Sequence, residues 1–316
     1  MEKLRCIQAN DIVSLAELLN DIFRRQNNVF DQEILADFPL VFVPENYCNC
    51  RVIEVDGELV SHAAIFPCQF SLKELNLKMA VVVLVATDKE FRKRGYAARL
   101  MQDLQRTMKE EAYDLGILWT GYPSFYRKLG WEVFTPEGWF TKDLRFKVPL
   151  LEQLTSKSEH PERTEHFDLD RHLAGVVKLH ENESVRTQRS WREYATLLTL
   201  PKTTVWVSKR DHQVSAYVVV GQAINKQGII EFGGSVDDVL TLIKYSLHAQ
   251  SLDRELPLII NHLRGDLFQR FKEVGEPLYK LESSKGLGCE MVYIVQPNNL
   301  FPKSLDKLFI WGLDYT

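Results

Sequence analysis

The stretch Val81-Val-Val-Leu-Val-Ala-Thr-Asp-Lys-Glu-Phe-Arg-Lys-Arg-Gly-Tyr-Ala-Ala98 decides how this chain is read. It opens with five apolar, mostly β-branched residues, Val81 to Val85, the pattern of a buried strand. A polar turn, Asp88 to Phe91, leads into Arg92-Lys93-Arg94-Gly95-Tyr96-Ala97 and then into a helix. On that helix Ala97, Leu100, Met101, Leu104 and Met108 fall on one face, and Arg99, Gln102, Asp103, Arg106 and Lys109 fall on the others. A helix's first turn carries unpaired N–H groups and the positive end of its dipole. Gly95 permits close backbone approach, Ala97 is small, and three cations stand beside them. The combination is an anion site suited to a diphosphate.

Composition bounds what else the chain can be. Its 316 residues exceed the usual size of one domain and suit two, and 45% hydrophobic content can fill a sizeable core. A net charge of -4, from 39 basic and 43 acidic residues, gives no global field for nucleic acid. No run of about 20 apolar residues predicts a membrane span, and no apolar signal core follows Met1 to Arg5. The five cysteines are odd in number and scattered, and the eight histidines show no His-Glu-x-x-His pairing. Reduced thiols, no metal site and a cytoplasmic location are the expectation.

Outward from the opening stretch, Asn10 is placed to cap a helix whose apolar face is Ile12, Leu15, Leu19, Ile22 and Phe23. Arg51 to Val55 and Glu58 to Phe66 read as a hairpin around Asp56-Gly57. Phe70 to Leu75 leads toward the central strand. Downstream, Gly116 to Thr120 is a short strand, Ser124 to Leu129 is one or two helical turns, and Trp131 to Phe134 is again a strand.

These residues resemble the acetyl-CoA-binding core of the GNAT N-acetyltransferase superfamily, best over residues 77–135 and more broadly over 1–140. Two signatures carry the resemblance: Arg92-x-x-Gly95-x-Ala97 after a strand, and Tyr126 four residues before Gly130-Trp131. The resemblance implies that the pantetheine arm of acetyl-CoA adds like a strand to the central strand where it splays from Ile117 to Thr120. It implies a donor site of Val85, Ala86 and Thr87 with Arg92, Lys93, Arg94, Gly95, Tyr96 and Ala97. The amides of Val85 and Thr87 would face the acetyl end, one as oxyanion donor, and residues 92–97 would hold the pyrophosphate. Tyr126 matches the tyrosine near the thioester sulfur, where a phenol can protonate the leaving thiolate. Glu54, His62, Glu33 and Asp37 are general-base candidates by position only, and none is assigned.

The second half repeats the element order of the first. Leu169 to Glu183 and Ser190 to Leu198 read as helices, and Thr203 to Ser208 with Val214 to Gly221 as a hairpin around Asp211-His212. Gly228 to Gly233 reads as a strand, Val236 to Leu247 as a helix, Leu258 to Asn261 as a strand, Asp266 to Lys272 as a helix and Glu290 to Val295 as a strand. Ser235 with Asp238 is a capping-box pattern, and Asp237 and Asp238 put negative charge where a phosphate would sit. The expected fold is therefore α/β, with two GNAT-like domains in tandem. Each is a mixed, mostly antiparallel central sheet flanked by helices, and the second is degenerate. A catalytic domain spans 1–145, a charged linker 146–165 and the second domain 166–316. The layout is similar to the first two domains of enhanced-intracellular-survival-type acetyltransferases. The function implied is transfer of an acetyl group from acetyl-CoA to a small-molecule amine, with neither nucleic acid nor membrane as partner. The alternative is a non-catalytic acyl-CoA-binding regulatory module, which would keep residues 92–97 but need no acid at Tyr126.

Overall fold

A computed structural model describes residues 1–27, 34–72, 75–133, 163–223, 226–249, 266 and 289–296. The chain divides into two compact units; the first holds the described residues of 1–70, 76–133 and 289–296.

In the first unit β1 (Glu2–Cys6) leads through a short 3-10 turn, Ala9–Asp11, into α1 (Ile12–Phe23). That turn displaces Asn10 from the expected cap; the Asp11 carboxylate instead takes the Gln8 N–H at 2.7 Å and ion-pairs with Arg5. Strands β2 (Cys50–Val55) and β3 (Glu58–Leu72) form the expected hairpin. Its two turn residues, Asp56 and Gly57, both have positive φ, 50° and 92°, the twist that a two-residue hairpin loop requires. The two segments read before and after Pro67 are one continuous strand. Then come β4 (Leu75–Thr87), α2 (Tyr96–Glu110), β5 (Leu115–Thr120), α3 (Pro123–Arg127) and β6 (Glu132–Val133).

One strand arrives from far along the chain. Residues 290–295, read from sequence as the last strand of the second half, form β12 (Cys289–Ile294) in the first unit. It lies antiparallel to β5, from Cys289 opposite Thr120 to Ile294 opposite Leu115, and also pairs with β6. The sheet order is β1-β2-β3-β4-β5-β12-β6, antiparallel in the registers above except for β4 with β5, which is parallel. A parallel neighbour needs a crossover, and α2 provides it.

Two apolar clusters cover the sheet's two faces. Leu100, Met101, Leu104 and Met108 of α2 pack with Ala80, Val82, Leu118, Tyr126 and Trp131. Leu15, Leu18 and Leu19 of α1 pack with Val52, Ala64, Leu84 and Ala86. Strand β4 changes phase between them. Ala80 and Val82 face α2, whereas Val83, Leu84 and Ala86 face α1. Two neighbours on one face mark a β-bulge at Val83–Leu84. Leu84 there has φ +52°, a left-handed conformation that costs a branched residue about 1–2 kcal/mol.

The second unit contains β7 (Thr164–His166), α4 (Leu169–Glu181), β8 (Val185–Gln188), α5 (Trp191–Leu198), β9 (Thr204–Arg210), β10 (Gln213–Ala223), β11 (Lys226–Gly234) and α6 (Val236–Ala249). Strands β7 and β8 were not foreseen. Its sheet runs β11-β10-β9-β7, all antiparallel. Asp211 and His212, both at positive φ, turn the expected hairpin. Ser190 and Glu193 close a full capping box on α5. At the start of α6 the expected negative charge is present, but Arg210 takes the Asp238 carboxylate at 2.7 Å. Arg189 and Glu231 form a two-pronged ion pair at 3.0 and 2.6 Å, almost fully buried. The linker read at 146–165 lies largely outside the described residues, as do the readings at 258–261 and 267–272. Among the described residues no helix is long and apolar enough to cross a membrane.

Candidate active site

The site is built where β4 and β5 part. Their pairing covers Met79 to Val81 against Leu115 to Ile117. Both strands then continue, to Thr87 and Thr120, with no further pair between them among the described residues. The splay expected at Ile117 to Thr120 is thus present. The bulge at Leu84 falls within the diverging part of β4 and turns that part of the strand out of register.

The carbonyls of this segment are held from the β3 side. The His62 Nδ1 lies 2.8 Å from the Leu84 carbonyl oxygen, and Ser61 Oγ donates to the Ala86 carbonyl at 2.7 Å. The Ser61 hydroxyl is also 2.8 Å from Thr87 Oγ1. Ser61's only proton goes to the carbonyl, so Thr87 is the donor in that second bond. The Asp88 N–H closes the run on the Val60 carbonyl at 2.9 Å. Residues 86 and 88 therefore address β3, and the alternating residues 85 and 87 direct their N–H groups to the β5 edge.

Beyond β4, Asp88 caps a 3-10 turn, Lys89–Phe91, through the Glu90 N–H at 2.8 Å. Arg92, Lys93, Arg94 and Gly95 follow, all exposed. Lys93 and Gly95 are left-handed, with φ 64° and 81°, which gives the loop its tight curl. Arg92 Nε donates to the Thr87 carbonyl at 3.1 Å, and an Arg94 guanidinium nitrogen donates to the Glu90 carbonyl at 3.2 Å. These bonds fold the arginines against the loop. The first i→i−4 bond of α2 runs from the Arg99 N–H to the Gly95 carbonyl at 3.1 Å. The N–H groups of Tyr96, Ala97 and Ala98 precede it and have no partner within the helix. The Tyr96 side chain has partners of its own within the protein. Its ring is buried in the α2 core and its hydroxyl donates to Glu2 at 3.0 Å, so only its backbone can meet a ligand. Glu2 also ion-pairs with Arg99.

Tyr126 stands at the far end of the divergence. Its ring is 7% exposed, edge-on to Phe125 at 4.8 Å and to Trp131 at 6.3 Å between centroids. Its backbone carbonyl accepts the Leu129 and Trp131 N–H groups at 2.9 and 3.1 Å, and Gly130 turns between them at φ 85°. Burial pushes the phenol up to about 12, partly opposed by a hydrogen bond with Thr120, the last residue of β5. Such a phenol stays protonated at neutral pH and can serve as a proton donor, not as a base.

The four base candidates fare differently. Glu54 is held by Arg5 at 2.8 and 3.0 Å, and Asp37 is ion-paired with Arg24. Glu33 lies outside the described residues. His62 is fully buried, and desolvation lowers it to about 4, so it is neutral at pH 7. Of the three described, Glu54 and Asp37 are ion-paired and His62 is buried, so none of these three stands as a free carboxylate or imidazole. What sequence reading missed is Ser61, and the hold of His62 on the Leu84 carbonyl, since His62 was read only as a base candidate; the one visible signal is two polar residues inside the apolar run Leu59 to Phe66.

A splayed parallel pair, a bulged central strand, a basic loop opening a helix and a buried phenol are now in place. A family model described as Acetyltransferase (GNAT) domain matches residues 3–134. Among solved structures, a GCN5-related N-acetyltransferase from Kribbella flavida is 15% identical, with a TM-score of 0.65 over 93% of this chain and 71% of that one. A GCN5-related N-acetyltransferase from Anabaena variabilis ATCC 29413 is 16% identical, with a TM-score of 0.61 over 94% and 73%. A conserved protein from Enterococcus faecalis V583, described as a probable N-acyltransferase, is 14% identical, with a TM-score of 0.65 over 93% and 73%. No curated protein matches the chain. At these identities the structures establish the fold, and the likeness runs well past residue 134. The match places a GNAT acetyltransferase domain in residues 3–134, and that domain supports an acyltransferase enzyme.

Proposed function

We propose that the chain transfers acetyl from acetyl-CoA to the primary amine of a small molecule by direct attack. The observation that carries this reading is the divergence of β4 from β5 beyond Val81 and Ile117; with the Leu84 and Ala86 carbonyls held from β3, the Val85 and Thr87 N–H groups would point into it. A thioester lying along that edge would meet one amide at its carbonyl oxygen. The basic loop Arg92–Gly95 and the first N–H groups of α2 suit the coenzyme's diphosphate. In the reaction the amine nitrogen bonds to the acyl carbon, charge collects on the carbonyl oxygen, and the carbon–sulfur bond breaks. The thiolate takes a proton from Tyr126, and the proton lost from the new ammonium passes to solvent and restores the phenol. Arg5 and Arg24 occupy Glu54 and Asp37, so this scheme assigns no protein base. The degenerate second domain, an arrangement like that of the enhanced-intracellular-survival-type enzymes, and a cytoplasmic location complete the reading.

Calorimetric titration with acetyl-CoA and with CoA, then thiol release over a panel of amines, tests it. Micromolar binding and turnover on at least one amine are expected. Binding with no turnover on any amine would favour the regulatory module.

A further inference from the structure

A planar trans peptide points its C=O and its N–H in opposite directions, so whatever grips the carbonyl also aims the amide. Leu84 C=O and Val85 N–H belong to one peptide; Ala86 C=O and Thr87 N–H belong to another. His62 holds the first carbonyl at 2.8 Å and Ser61 the second at 2.7 Å. Both side chains are 0% exposed and sit on β3, the neighbour of β4 opposite β5. A carbonyl oxygen only accepts, so His62 carries its proton on Nδ1. Among the described residues its Nε2 is buried with no hydrogen-bond partner. A polar ring placed there at that cost is explained by the bond its Nδ1 makes to Leu84, the residue of β4 at positive φ.

We propose that His62 and Ser61 are positioning residues which, by gripping the carbonyls of Leu84 and Ala86, aim the Val85 and Thr87 amides at the acyl donor. This rests on the acyl-transfer reading above. The two grips divide the labour. His62 secures the bulge peptide whose N–H would face the developing oxyanion. Ser61, itself steadied by the Thr87 hydroxyl, secures the next amide along the donor's arm.

Three substitutions separate this from a packing role. An asparagine amide nitrogen can stand where Nδ1 stands; a glutamine amide lies one carbon further out; leucine offers no donor. His62→Leu and His62→Gln should lower kcat roughly 10- to 100-fold, less than the roughly 100- to 1000-fold seen when an oxyanion donor is removed outright, because the amide is misaimed and not lost, while CoA affinity stays within about twofold of wild type. His62→Asn should recover most of that loss. Ser61→Ala should raise KM for acetyl-CoA several-fold with a smaller effect on kcat. Equal losses in the asparagine and glutamine variants, or unchanged kcat in His62→Gln, would overturn the proposal. A crystal structure of His62→Gln provides a readout independent of activity. Leu84 should relax from φ +52° to extended backbone, and retention of the left-handed conformation sinks the idea. If wild-type protein binds no acetyl-CoA, the acyl-transfer reading fails by itself, and the Leu84 conformation still decides whether His62 sets the bulge.

Discussion

Tyr126 shows how one residue's chemistry is set by its surroundings. In water a phenol would be a slightly weaker acid than a thiol. Packed between Phe125 and Trp131 it is weaker still, so it keeps its proton across the physiological range. That suits a group which must give up a proton only when a thiolate forms beside it. Tyr126→Phe keeps the ring and removes the proton. Turnover should fall about 100-fold, the low end for general acid catalysis, with acetyl-CoA affinity near wild type. Steady-state kinetics beside calorimetry reads both quantities. Undiminished turnover would remove Tyr126 from the mechanism.

Among the elements, β5 is the one whose sequence leaves least room. Gly116 lies under the indole of Trp131. An added Cβ would stand 2.8 Å from the Trp131 ring and 3.1 Å from Met108 Sδ. Trp131 is 1% exposed and hemmed in by Tyr126 and Tyr293, so it cannot swing away. Gly116→Ala should therefore destabilise the first unit by about 1–3 kcal/mol, the usual cost of overpacking. The urea midpoint and tryptophan fluorescence would report it. A midpoint equal to wild type would mean that the ring yields more readily than its packing indicates. The β4 bulge is the complementary case, a strained element kept in place by neighbouring strands.

At the scale of the molecule, β12 ties distant sequence into the first unit. A fragment of residues 1–145, cut where the sequence alone suggests a domain end, lacks the strand that lies between β5 and β6. It should show less regular structure by circular dichroism and aggregate through the exposed edge of β5. A monomeric fragment with a cooperative melt would contradict this. Acid response is a second property of the whole. His62 and His180 are lowered to about 4 and about 3, chiefly by burial. Arg189 and Arg186 lower His180 further, and Glu231 opposes them. Unfolded, both histidines titrate near 6.5 and bind protons first. Stability is thus full above pH 6.5 and lost as pH falls through 4 and 3, several kcal/mol in all. Glu231 and Asp11, both held below the usual carboxylate range, add to the loss in the lower part of that window. Urea titrations from pH 7.5 to 3.5 should show a monotonic decline; a flat profile would mean the two imidazoles are not buried neutral.

Helix α1, the order of elements from β2 to β6, the Asp56-Gly57 hairpin, the basic loop and the helix it opens were legible in residue order, because each depends on local periodicity and turn chemistry; the short first strand, Glu2–Cys6, was not. So was Tyr126, through its distance from Gly130-Trp131. Three further things were not. The five apolar residues Val81 to Val85 carry no alternation, so the change of face at Leu84 leaves no trace in them. Ser61 and His62 look like any two polar residues in a strand until β4 lies beside them. The partner of residues 289–294 depends on which sheet edge is open, a question of long-range pairing that no local pattern encodes. The chain's own order therefore determined that a basic, glycine-containing turn opening a helix follows a buried strand. Only tertiary packing decided which way that strand's amides point, because their direction is set by side chains and strands from elsewhere in the chain.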